Sequence, residues 1–169
     1  MEIVKEATVV ANEEIIKEPV IDEILVAKLT EELAAFEKEL ENKVYPIKLE
    51  NEKFPGLFNY LKDFVQNHAS WKDSEALGVI EAMKLLEKET MKNGNIFLKS
   101  LAIQAIRYFL SKVEGKGLEH AEKHIALVKP IDAALALQKL DDTKLNQMRT
   151  ELAATEQGIS IEPPVKKEE

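Results

Sequence analysis

The residues best suited to metal chemistry are His120 and His124, in the run His120-Ala121-Glu122-Lys123-His124. Two histidines four apart on a helix face the same way and can share one metal ion. The zinc-protease pattern places glutamate directly after the first histidine. Here that residue is Ala121, and Glu122 points away, so Glu119 is the nearest further carboxylate. With no cysteine in the chain, a third ligand would have to come from His68 or from a distant carboxylate. Two histidines on so charged a helix read as surface residues, and no metal site is expected.

Nucleophilic chemistry is equally thin. The serines, Ser70, Ser74, Ser100, Ser111 and Ser160, lie outside any strand-turn-helix setting that would expose a hydroxyl as a nucleophile elbow does. Gly94, Gly115 and Gly117 fit helix ends, and Gly115-Lys116-Gly117 is too short for a phosphate-binding loop. Carboxylate pairs such as Glu13-Glu14 and Asp141-Asp142 suit solvated faces and helix caps. The reading is therefore not an enzyme, with no cofactor and no catalytic residue.

Nucleic acid is disfavoured as a partner. Lys92, Lys99, Arg107, Lys112, Lys116, Lys123 and Lys129 alternate with Glu89, Glu114, Glu119 and Glu122, and the chain has only two arginines, Arg107 and Arg149. The net charge is −8, which repels phosphate. The excess is local: residues 1–50 hold 13 acidic and 6 basic side chains, against 18 and 17 in residues 51–169.

The 169 residues fit one domain with flexible ends, large enough to fold without disulfides or metal. Met1-Glu2-Ile3-Val4-Lys5-Glu6 lacks the basic start and apolar run of a signal peptide, and no window is apolar enough to span a bilayer. A cytoplasmic protein is expected, with no membrane partner.

Positioning begins with Ile96–Val113. One apolar row holds Ile96, Ile103, Ile106, Leu110 and Val113, interrupted by Lys99; a second holds Phe97, Leu101, Ala105 and Phe109. Asn93-Gly94-Asn95 offers a turn and an N-cap, and Gly115 and Gly117 a stop. A helix apolar over so much of its surface must be wrapped by others. The expected fold is all-α: a bundle of about six helices around a buried central helix at 96–113, with a short strand or ordered loop near 44–49, where Pro46 and Pro55 exclude helix.

In chain order, residues 1–19 read as a flexible arm. An acidic amphipathic helix follows at 20–44, with Asp22 and Glu23 in its first turn and a stripe of Ile21, Leu25, Leu29, Leu33, Phe36 and Leu40. A helical core domain spans 55–157. Its second helix presents Leu57, Phe58, Leu61, Phe64, Val65 and His68, and Trp71 is expected to plug the corner that follows. The third helix, capped at Asp73 or Ser74, presents Ala76, Val79, Ile80, Met83, Leu85 and Leu86, and its Gly78 suggests a close helix crossing. Two more helices are expected after Leu118, separated at Pro130, and the apolar pattern changes phase near Asp141-Asp142, where Asp142 or Thr143 could cap a new one. Gly158 is a stop, and 158–169 reads as a disordered tail.

The expected function is that of a non-enzymatic structural or adaptor protein acting through protein–protein contacts in a larger assembly, by a protein partner or self-association. Ile21, Leu25, Leu29, Leu33, Phe36 and Leu40 are the expected contact residues. The alternative is an acidic regulator of nucleic-acid-processing machinery. If the N-terminal third only docks, residues 51–169 should fold without it.

Overall fold

The computed structural model describes residues 20–159. The arm expected at 1–19 and the tail from 160 onward lie outside the described residues. Among the described residues the chain is mostly helical, with five α-helices and one two-stranded sheet: α1 (Glu23–Asn42), β1 (Val44–Lys48), α2 (Leu57–Asp63), α3 (Ala76–Lys88), β2 (Asn95–Lys99), α4 (Ser100–Leu110) and α5 (Leu118–Glu156).

The helix expected over 96–113 is corrected by the sheet. Asn93 and Gly94 both take positive φ, 53° and 77°, and Lys92 and Asn95 exchange two backbone hydrogen bonds across them. An Asn-Gly pair in that geometry starts a strand better than a helix, because its twist matches that of paired strands. Residues 95–99 then run antiparallel to β1, with Tyr45 opposite Leu98 and Ile47 opposite Ile96. All four side chains are buried on one face. The backbone amides of Leu49 and Glu50 donate to the Gly94 carbonyl, fastening the exit of β1 to the turn. Pro46 is tolerated because β1 has a single strand neighbour.

Helix α4 begins at Ser100, and its core row matches the expected one: Ile103, Ile106 and Leu110 are fully buried. Leu101, placed by the sequence in the second row, is exposed. Helix α4 packs on α5 and α3, and these share with α2 and the sheet one core running from Tyr45 to Ala134. Gly78 is where α3 meets α4: a Cβ there would sit 3.4 Å from the Phe109 ring. Trp71 is not the expected plug but is 48% exposed.

Helix α5 is one helix of 39 residues, with Pro130 inside it. Proline removes one backbone donor, but Leu127, Ile131 and Ala134 are buried on both sides of it, so packing carries the helix through. The apparent phase change at Asp141 is not a break either. The less exposed positions continue without a slip, as Leu127, Ile131, Ala134, Gln138, Asp141, Leu145, Met148 and Leu152. Two of them are simply polar. Thr143 caps nothing; its hydroxyl donates to the Lys139 carbonyl one turn back.

Candidate interaction surface

The second half of α5 is the partner of α1. The less exposed residues of α1, Val26, Leu29, Leu33, Phe36 and Leu40, recur at three and four, the same spacing as on α5. Two such seams pack as a coiled-coil pair. The pair is antiparallel: Glu37 meets Arg149 at 2.7 Å, and Lys43, just past the end of α1, meets Asp141 at 2.7 Å. Phe36 is buried, under the ammonium of Lys144 at 4.4 Å from its ring, and stands apart from the main core cluster. From Gln138 to Glu156 the two helices form a spur about 27 Å long, at 1.5 Å per residue.

The root of the spur is tied to the sheet at Asp141. The Tyr45 hydroxyl donates to its Oδ2 at 2.7 Å, beside the Lys43 ammonium. Burial pushes the Asp141 carboxyl up, but the hydrogen bonds from Lys43 and Tyr45 and the charges of Lys43 and Lys144 together outweigh it and hold the group below its ordinary value. Burial and the same hydrogen bond push the Tyr45 phenol well above the usual tyrosine range. A carboxylate with a depressed native pKa stabilises the fold above its unfolded value, about 3.9, and that contribution disappears as pH falls through the native value. The melting-temperature gap between wild type and Asp141→Asn should therefore narrow as pH falls below about 4. A gap independent of pH would remove Asp141 from this role.

The contact residues expected from the sequence fall into two groups. Leu29, Leu33, Phe36 and Leu40 face α5 within the same chain. Ile21 and Leu25 stand at the free end of the spur, 49% and 40% exposed. Sequence reasoning left out Ile24, which is 84% exposed, because it falls off the stripe. The signal was there: Ile21, Ile24, Leu25 and Val26 crowd one turn with more apolar residues than one buried face can use. Val20, Leu25, Thr155 and Ile159 line a shallow depression of about 290 Å³ at this end, with Asp22 and Glu151 on its edge. Asp22 also caps α1, accepting from the Leu25 amide at 3.0 Å. The last turn of α5 has no basic residue, and Gly158, at a φ of 69°, stops the helix as expected, with the Gly158 and Ile159 amides donating to the Thr155 and Ala154 carbonyls.

His120 and His124, expected on a charged surface, instead meet His68 around Phe64. The ring of His120 lies 4.5 Å from that of Phe64 and 5.0 Å from that of His68, and His124 lies 6.3 Å from Phe64. His68 is brought there by a π turn at Phe64–His68 that extends α2. Its Nε2 lies 3.1 Å from an Asp63 oxygen, while His124 Nε2 lies 2.8 Å from the Leu110 carbonyl oxygen at the end of α4. His120 Nε2 is buried with no hydrogen-bond partner among the described residues. Among the described residues no group of three or more histidine, aspartate and glutamate side chains is placed to hold a metal ion. The cluster is a packed corner joining α2, α4 and α5. His120→Ala should lower stability by about 0.5–1.5 kcal/mol from lost ring contacts, seen in urea melts, and zinc titration should give only weak heats. Sub-micromolar zinc binding abolished by the substitution would reverse this assignment.

A groove of about 640 Å³ between α5 and the loop after β1 is floored by Phe54, Leu57 and Ile125 and edged by Lys48, Lys129 and the paired Lys53 and Glu122. Its charges are mixed and converge on no point. No helix among the described residues is long and apolar enough to cross a membrane. No protein family matches the chain, and neither a curated protein nor a solved structure matches it.

Proposed function

We propose that this protein is a non-enzymatic adaptor that engages another protein through the free end of its two-helix spur. One observation supports the reading: Ile21, Ile24 and Leu25 are held out on a packed helical pair, outside the core cluster, and are exposed among the described residues. Isolated exposed aliphatics are ordinary on any surface, but several large ones gathered at one end suit a contact. The spur also gives them a rigid mount, which lowers the ordering cost of association. The α4-to-α5 core serves as the base that fixes the spur's direction. Chemistry is not assigned to the histidine corner, whose rings pack on Phe64 and on each other.

The test is comparative capture from the native source. Wild-type protein is compared with Ile24→Glu on the spur and Leu77→Glu on α3, both at exposed positions. The expected result is a protein partner lost with Ile24→Glu and retained with Leu77→Glu. A partner retained by both variants, or by neither, would sink the assignment of the spur end.

A further inference from the structure

The chemistry around Ile24 limits what can cover it. Asp22 and Glu23 open α1, and Glu151 and Glu156 lie on the last turns of α5. Among the described residues, the cations of α1 and α5 toward this end are paired: Lys28 with Glu32 at 3.7 Å, and Arg149 with Glu37 at 2.7 Å. The last turn of α5 carries no basic residue to offset these carboxylates. The spur end is therefore an apolar cluster inside a negative rim.

That combination disfavours three occupants. A second copy of this chain would set each rim against its own like charge. An anionic membrane surface would be repelled in the same way. The chain's own residues 1–19 carry five acidic and two basic side chains, the wrong balance for this rim. Charge complementarity favours a partner whose apolar ridge is flanked by cations, and a helix laid against the end of a helical pair is the simplest such ridge.

Resting on the adaptor reading above, we infer that the spur end seats a lysine- or arginine-rich amphipathic helix of a partner protein. Its apolar face covers Ile21, Ile24 and Leu25, and its cations face Asp22, Glu23, Glu151 and Glu156.

The test is fluorescence anisotropy with the full chain and three labelled helical peptides of about fourteen residues, four turns each. One carries leucine and lysine in heptad register, one leucine and glutamate, and one serine and lysine. The leucine–lysine peptide should bind saturably, at least about tenfold more tightly than either other peptide, and joint Ile21→Ser and Ile24→Ser substitution should weaken it by at least about tenfold. Added salt should weaken it further. Because both substituted positions are exposed, circular dichroism should show the variant folded; Glu23→Lys gives a second variant that spares the apolar residues and should also weaken binding. Equal binding of the serine–lysine peptide would mean charge alone, and equal binding of the leucine–glutamate peptide would mean apolar contact alone. Each overturns the inference. So does binding that appears only after removal of residues 1–19, which would make that segment the occupant, or a doubled mass in light scattering that Ile24→Ser abolishes, which would make it a second copy. A native partner that depends on Ile24 while the leucine–lysine peptide fails to bind would refute the partner class and leave the adaptor reading standing.

Discussion

Ile106→Ala is expected to lower the free energy of unfolding by about 2–5 kcal/mol, the cost of removing buried methylenes and leaving a cavity. Ile106 is fully buried in α4, in one core cluster with Leu127 and Ile131 of α5. Helix α4 cannot collapse onto the space easily, because Gly78 already brings α3 against Phe109. Lys112, with its ammonium 5.2 Å from the exposed Tyr108 ring, is the control: Lys112→Ala should change stability by no more than about 0.5 kcal/mol. Urea melts of the two variants decide it. Equal, mild effects would show that the α4 row is not closely packed in the core.

Removal of residues 1–50 is expected to abolish cooperative melting. This reverses the expectation drawn from charge and apolar pattern, that the remainder folds alone. The segment contains β1, and Tyr45, Ile47 and Leu49 are core residues, with Ile47 fully buried. Each such side chain contributes about 1.5–3 kcal/mol on burial, against a typical total stability of about 5–15 kcal/mol. Without β1, Ile96 and Leu98 on β2 lose their cover as well. A cut after Asn42 keeps the strand and should leave a chain that melts cooperatively, though at lower temperature. Circular dichroism melts of the two truncations separate the roles of β1 and α1. Persistence of a cooperative transition in the shorter chain would show that the sheet is dispensable.

The helical class was legible from apolar periodicity, and so were the first row of α4, from Ile103 to Leu110, and the seam of α1 from Leu29 to Leu40. What failed did so at short range. In Ile96-Phe97-Leu98-Lys99, helix and strand periods both accommodate the apolar residues, and Lys99, read as an interruption, marks the boundary between them. The partner of that strand lies some fifty residues away, so no local pattern could select it. Asn93-Gly94 was the available clue, since that pair favours a hairpin turn over a helix cap. Pro130 and Asp141 misled in a different way. Proline's local cost was overridden by packing on both sides, and Asp141 breaks the apolar pattern because it serves Tyr45 and Lys43, again far away in the chain. The histidine corner depends on the π turn that carries His68 toward His120, a backbone feature without a sequence mark. Ile24 was missed because a stripe was sought, and the residue matters by lying outside it.

The central claim is that the seam of α1 is spent within the chain while its free end meets a partner. Site-specific photo-crosslinking tests both halves at once, with a photoreactive residue placed at Leu33 in one protein and at Ile24 in another, each irradiated in extract of the native source. The account predicts crosslinks within the same chain, to α5, from position 33, and crosslinks to a different protein from position 24. Intermolecular products from position 33, or none from position 24, would contradict it.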